Sequence, residues 1–76
     1  MAGENPRGQI FAILGRTNVS RPERLRICSY IATRRIGSLN DLNERELTMV
    51  AGTLFSWDAA GHLDSQIAHI LSERAA

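Results

Sequence analysis

Three side chains near the middle of the second half of the chain carry the chemical groups of a hydrolase triad. Ser56, Asp58 and His62 offer a hydroxyl, a carboxylate and an imidazole within one short segment. A triad needs these groups brought together in a cleft beside donors for the developing oxyanion. The three residues instead flank a predicted surface turn at 58–61, without a glycine-rich or strand–turn–helix context. We therefore expect no catalytic site here and a chain that is not an enzyme.

Histidine and cysteine positions bear on a metal site. His62 and His69 lie two turns apart on one face of a predicted helix. A zinc site prefers histidines at i and i+4 together with a third strong ligand. The single cysteine, Cys28, lies on another predicted helix and on its apolar side, which is typical of a small core residue. The pattern predicts two solvated histidines, no metal and no cofactor.

The residue types most typical of a binding surface lie on the second predicted helix. Arg26, Tyr30 and Arg34 recur at i, i+4 and i+8 and so form one stripe. Thr33 lies beside this stripe and Arg35 lies at its end. Arginine and tyrosine dominate interaction hot spots, and arginine pairs well with carboxylates or phosphates. The stripe predicts a partner-binding site, and the alternative interpretation is a solvated helix face whose arginines lie over the protein surface.

Two other side chains admit more than one interpretation. Arg24 falls on the apolar arc of the second helix, where we expect it to pair with an acidic neighbour such as Asp41 or Glu46. Trp57 lies at the end of the third predicted helix, where it either closes the core or anchors a partner. The chain has only one Trp, one Tyr and two Phe, so closing the core is the favoured interpretation.

Four amphipathic helices must position these side chains. Capping boxes, formed by Ser20 with Glu23 and by Asn43 with Glu46, predict where the second and third helices start. The predicted helices run over 9–14, 21–35, 44–57 and 62–74. Because no segment alternates with period two, the predicted fold is all-α, a compact bundle of about four short helices. A flexible N-terminal lead (1–8) precedes this single helical domain (9–76).

Apolar residues at helical spacing predict the core of the bundle. The third helix has the clearest pattern, and Leu42 and Leu47 occupy the two positions of a hydrophobic staple before and within it. The predicted inward positions are Ile10, Phe11, Ile13, Leu14, Leu25, Ile27, Cys28, Ile31, Ala32, Leu47, Val50, Ala51, Leu54, Phe55, Leu63, Ile67, Ile70 and Leu71.

Charge and composition limit the partners that the chain can have. The net charge is only +1, which argues against strong non-specific binding of nucleic acid. All nine basic residues are arginine, which suits bidentate contacts but also fits a GC-rich genome. No apolar run is long enough to span a membrane, and the polar residues 1–8 lack a signal-peptide core. With one cysteine and no internal disulfide, the expected location is the cytoplasm.

The third helix starts within the segment Ile36-Gly-Ser-Leu-Asn-Asp-Leu-Asn-Glu-Arg-Glu-Leu47. This segment resembles part of a small helical module found in bacteriophage and actinobacterial proteins. In that module an Arg-Leu pair on a helix precedes a motif like Ile-x-Ser-x-x-Asp-Leu-Thr-x-x-Glu. The matching residues are Arg24-Leu25, Ile36, Ser38, Asp41-Leu42 and Glu46, with Asn43 in place of Thr. The resemblance covers about 9–54 and implies a bacterial host cell. It also implies a link to phage DNA recombination or replication, because the module is often found at the end of phage proteins with those functions.

Two functional hypotheses follow, and a third concerns assembly. The first is a non-catalytic protein-interaction module, such as a phage-encoded adaptor or modulator of a host protein. The alternative is a nucleic-acid-binding accessory protein of phage DNA recombination or replication. The predicted joint at 35–42 is too long for a helix-turn-helix, and Glu44 and Glu46 would face phosphates, so we rank protein binding first. Self-association into a homo-oligomer is the third hypothesis, because a small core gains from a shared apolar face.

Overall fold

The computed structural model describes residues 5–72, and these residues form four α-helices. The helices are α1 (Pro6–Gly15), α2 (Arg21–Ala32), α3 (Glu44–Ala60) and α4 (Leu63–Ser72), with a 3-10 helix at Leu39–Asp41. The described residues contain no strand, so the prediction of an all-α helical bundle is confirmed. Within residues 5–72, none of the helices combines the length and the apolar character needed to cross a bilayer.

The third helix is the centre of the bundle. α3 packs against α1, α2 and α4, and its inward stripe of Leu47, Val50, Ala51 and Leu54 is buried. Each fully buried aliphatic side chain contributes about 1.5–3 kcal/mol relative to an exposed one. The core is made of Ile10, Ile13, Leu14, Ile27, Cys28, Ala32, Ile36, Leu39, Leu42, Leu47, Val50, Ala51, Leu54, Leu63, Ile67 and Ile70.

Both predicted capping boxes are present. In α2 the Ser20 hydroxyl accepts from the Glu23 amide (3.3 Å), and the Glu23 carboxylate accepts from the Ser20 amide (2.8 Å). In α3 the amide of Glu46 donates to the Asn43 side chain (2.8 Å), and the Asn43 amide donates back to the Glu46 carboxylate (3.1 Å). Leu42 is buried just before the α3 cap, as the predicted hydrophobic staple requires.

Two helices extend further than the sequence predicts. α1 begins at Pro6 rather than Gln9, because the Asn5 side chain accepts from the amides of the first turn and so caps the helix. Residues 6–8 of the predicted flexible lead are therefore helical, and residues 1–4 lie outside the described residues. α3 continues to Ala60, so the turn predicted at 58–61 is reduced to Gly61, whose φ of 78° ends the helix.

The second helix ends earlier than predicted, at Ala32 instead of Arg35. Thr33 takes the left-handed conformation (φ 60°), and the Arg34 amide donates to the carbonyl of Ser29 (3.2 Å). The Ser29 hydroxyl also accepts from the Ile36 amide (3.2 Å), which fixes the chain as it leaves the helix. A long joint over residues 33–43 then leads to α3.

Two predicted core positions are wrong. Phe55 is 65% exposed and Phe11 is 43% exposed, because each lies at the edge of its helix's apolar arc. Trp57 is half-buried and packs against the core, in agreement with the interpretation that it closes the core.

Candidate functional site

A shallow groove of about 520 Å³ lies where the end of α2 meets the turn that follows it. Arg26, Tyr30, Arg34 and Arg35 line this groove, and all four were predicted as partner-binding residues from the sequence. Thr33, the fifth predicted residue, is exposed but does not line it. We call this feature the α2 groove; its other lining residues are Ser29, Ile36 and Ile70.

The predicted helical stripe exists only in part. Arg26 and Tyr30 lie one turn apart on α2, whereas Arg34 and Arg35 follow the end of the helix. The left-handed Thr33 turns the chain back, which brings both of these arginines to the groove instead of continuing the stripe. The early end of α2 therefore makes a concave site out of residues that a longer helix would spread along a convex face.

Arg34 is held by α3 and by the joint. Its Nε and Nη2 atoms donate to the two carboxylate oxygens of Glu46 (both 2.8 Å), and Nη2 also donates to the Asp41 carbonyl (2.6 Å). The hydrogen bond from Arg34, together with that from the Asn43 amide, lowers the pKa of Glu46 to about 2. The two parallel hydrogen bonds compensate the positive charge of Arg34 and hold the turn after α2 against the start of α3. Arg34 therefore has a structural role.

The groove has two further arginines besides Arg34. Arg26 and Arg35 are exposed, and neither has an ion-pair partner within residues 5–72. Tyr30 is 45% exposed between them, while Ile36 and Ile70 are buried and form an apolar floor. Among the described residues, the groove thus presents two guanidinium groups without an ion-pair partner and a phenol beside an apolar surface.

The prediction that Arg24 pairs with Asp41 or Glu46 is wrong. The Arg24 guanidinium instead lies over the Phe11 ring, 4.8 Å from its centroid. Glu46 is occupied by Arg34, and the Asp41 carboxylate accepts from the Gly37 amide (2.9 Å). A cation–π contact of this kind explains how an arginine is accommodated at the edge of the apolar arc.

The residues considered for catalysis and metal binding lie apart from the α2 groove. Asp58 accepts a hydrogen bond from Arg16 (2.8 Å) in an ion pair at the surface, and Ser56 and His62 are exposed. His69 is exposed on α4. Over residues 5–72, no group of three or more His, Cys, Asp and Glu side chains could hold a metal ion.

Cys28 is a core residue, as predicted. Its side chain is fully buried, and burial raises the pKa of its thiol to about 11. The thiol is therefore protonated at neutral pH and contributes packing.

A second group of arginines was missed by sequence reasoning. Arg7, Arg21 and Arg24 line a small depression of about 110 Å³ between the first turns of α1 and α2. Recognition of Asn5-Pro6 as a helix start would have placed Arg7 and Phe11 one turn apart on one face. Their approach to α2 depends on tertiary packing, which no local pattern indicates.

No protein-family model, no curated protein and no solved structure matches the chain. The four-helix architecture and the charges at the two arginine-lined sites are the observations that bear on function.

Proposed function

We propose that the chain is a non-catalytic protein-interaction module whose α2 groove binds an acidic segment of a partner protein. A phage-encoded adaptor or modulator of a host protein would act in this way. The observation that carries the proposal is the pair Arg26 and Arg35, which have no ion-pair partner within residues 5–72 and lie beside Tyr30 and an apolar floor.

The chemistry of the groove favours a particular kind of segment. Three guanidinium groups and no carboxylate of residues 5–72 line it, and within this range Glu46 pairs only with Arg34. Carboxylates form charge-assisted, often bidentate hydrogen bonds with arginine, and these are stronger than neutral ones. An apolar side chain between two carboxylates would contact the floor formed by Ile36 and Ile70. The expected ligand is therefore an acidic peptide segment with an apolar residue at its centre.

The second candidate is a nucleic-acid-binding accessory protein, which the resemblance of residues 36–47 implies. Recognition through a helix-turn-helix would need a turn of about three or four residues between its helices. Residues 33–43 separate α2 from α3 instead, and α3 begins with Glu44 and Glu46. A net charge of +1 adds little long-range attraction to a polyanion. Protein binding is therefore the better supported function.

A peptide-binding measurement tests the proposal. Fluorescence anisotropy would compare a labelled peptide that carries Glu and Asp around a central Leu with the same peptide carrying Gln and Asn. We expect binding of the acidic peptide only, weakened about tenfold or more in Arg26→Glu/Arg35→Glu, since each charge-assisted hydrogen bond contributes about 1.5–3 kcal/mol. The control is Arg45→Glu, which makes one such charge reversal outside the groove, because Arg45 is exposed on α3. Equal binding of both peptides would contradict the proposal.

A DNA-binding measurement tests the second candidate. A labelled duplex and a matching single strand would be titrated at low and moderate salt with the wild type and both glutamate variants. The protein-binding proposal predicts weak binding that the three proteins share. Tight binding that falls steeply with salt and is lost in Arg26→Glu/Arg35→Glu would assign the groove to nucleic acid.

A further inference from the structure

Three arginines converge at the end of the bundle where α1 and α2 begin. Arg7 comes from the first turn of α1, and Arg21 and Arg24 come from the first turn of α2. Together with Ser38 and Asn40 beside the 3-10 helix, they line the depression of about 110 Å³. We call Arg7, Arg21 and Arg24 the arginine cluster.

The contacts that residues 5–72 make with the arginine cluster orient its members without neutralising them. Arg7 donates from Nη1 to the side-chain oxygen of Asn40 (2.7 Å), which is an uncharged acceptor. Arg24 lies over the Phe11 ring, which is also uncharged. Arg21 is exposed and forms no ion pair within the described part of the chain. Three positive charges therefore face one small depression that no described carboxylate lines.

The neighbouring polar groups add donors to the same place. The Asn40 side-chain oxygen is taken by Arg7, which leaves the amide NH₂ of Asn40 able to donate. The Ser38 hydroxyl oxygen accepts from the Asn40 amide (3.1 Å), and its own O–H remains able to donate. A ligand in this depression meets donors on several sides, so it must be an acceptor with several oxygens.

Charge and size select the ligand. A phosphomonoester carries about −1.5 to −2 charges at neutral pH and three terminal oxygens, which matches several guanidinium donors better than a carboxylate does. A phosphodiester in a nucleic-acid backbone carries only one charge per phosphate. Since water fills about 30 Å³ per molecule in the liquid, the depression takes a group of only a few heavy atoms.

We propose that the arginine cluster is a binding site for a phosphomonoester group. The site is separate from the α2 groove, because Arg24 and Arg26 point about 200° apart around α2. The proposal therefore does not depend on the function proposed for the groove. Arg21 is a direct ligand, Arg24 is a direct ligand oriented by Phe11, and Arg7 is a direct ligand oriented by Asn40.

The experiment is an amide chemical-shift titration of the whole chain in a buffer without phosphate. Inorganic phosphate and O-phosphoserine are the probes, and acetate and sodium chloride at equal ionic strength are the controls. We expect saturable shifts at Arg21, Arg24, Ser38 and Asn40 with both phosphates only. Arg21→Gln/Arg24→Gln should weaken binding about tenfold or more. Arg45→Gln, which loses one charge outside the arginine cluster just as Arg21→Gln loses one within it, should not.

The single variant Arg21→Gln shows whether a loss of phosphate binding in the double variant comes from misfolding. Arg21 is exposed at the start of α2 and is not part of the core, so the fold should survive its replacement. It should still weaken phosphate binding severalfold while the spectrum remains that of the native fold. Equal shifts with phosphate and chloride, or unchanged affinity in Arg21→Gln/Arg24→Gln, would overturn the proposal. A single-stranded DNA without a terminal phosphate is the last probe. If it bound more tightly than O-phosphoserine, and if Arg21→Gln/Arg24→Gln abolished that binding, the proposal would also be overturned and the site assigned to nucleic-acid backbone.

Discussion

Arg34 and Glu46 form a bidentate ion pair that ties the end of α2 to the start of α3. Both hydrogen bonds between their side chains are 2.8 Å long. Glu46 also closes the α3 capping box by accepting from the Asn43 amide. One carboxylate therefore fixes a helix start and the turn that shapes the α2 groove.

The first prediction concerns stability at acidic pH. The pKa of Glu46 is lowered from 4.5 to about 2 in the folded protein. Its contribution to the free energy of unfolding is therefore fully present above about pH 4.5 and is lost as the pH falls toward about 2. Urea unfolding at a series of pH values should show this loss in the wild type. Glu46→Gln should be less stable at neutral pH, and the difference between the two proteins should shrink on acidification. Parallel curves for the two proteins would contradict the prediction.

The second prediction concerns the end of α2. Thr33 is a β-branched residue in the left-handed region, with φ 60°, where a non-glycine residue costs about 1–2 kcal/mol. Thr33→Gly should raise the free energy of unfolding by about 0.5–1 kcal/mol once the greater flexibility of the unfolded chain is included. Thr33→Ala is the control, since alanine keeps the Cβ and should not stabilise. Chemical denaturation measures both, and a less stable Thr33→Gly would show that the turn does not carry this strain.

The third prediction separates two neighbouring residues of α3. Leu54 is fully buried and Phe55 is 65% exposed. Leu54→Ala should lower the free energy of unfolding by about 2–5 kcal/mol, whereas Phe55→Ala should change it by about 0.5 kcal/mol or less. Similar losses at the two positions would contradict the described core. A loss at Phe55 that grows with protein concentration would instead support self-association, because a shared interface links stability to concentration.

The fourth prediction concerns the reactivity of Cys28. Burial raises the pKa of its thiol from 9.0 to about 11, so the thiolate fraction at pH near 8 falls about a hundredfold. A disulfide exchange reagent should react with the native protein at least about a hundredfold more slowly than with the chain in denaturant. Absorbance of the released thiol measures both rates. Comparable rates would show that the core around Cys28 opens readily.

Helix starts could be predicted from the sequence because their signals are local. Ser20 with Glu23, and Asn43 with Glu46, satisfy first-turn amides within four consecutive residues, and both boxes are present. The start of α1 follows the same rule at Asn5-Pro6, although the glycines around it suggested a flexible lead.

The end of α2 could not be predicted because its determinants are distant in the chain. Ser29 contacts the Ile36 amide, and Arg34 contacts Glu46 on the next helix. Neither contact leaves a pattern in the residues near 33. The residue types of the α2 groove were therefore predictable, but its concave shape and its floor, which includes Ile70 from α4, were not.

The most direct test of the proposed function is a charge-swap experiment at the α2 groove. Wild type and Arg26→Glu/Arg35→Glu would each be titrated with the acidic peptide and with a peptide whose acidic residues are replaced by Lys. We predict that the wild type binds only the acidic peptide and that the variant binds only the basic peptide, with Arg45→Glu behaving as the wild type. Binding of the acidic peptide by the variant with wild-type affinity would contradict the assignment of the α2 groove as the partner-binding site.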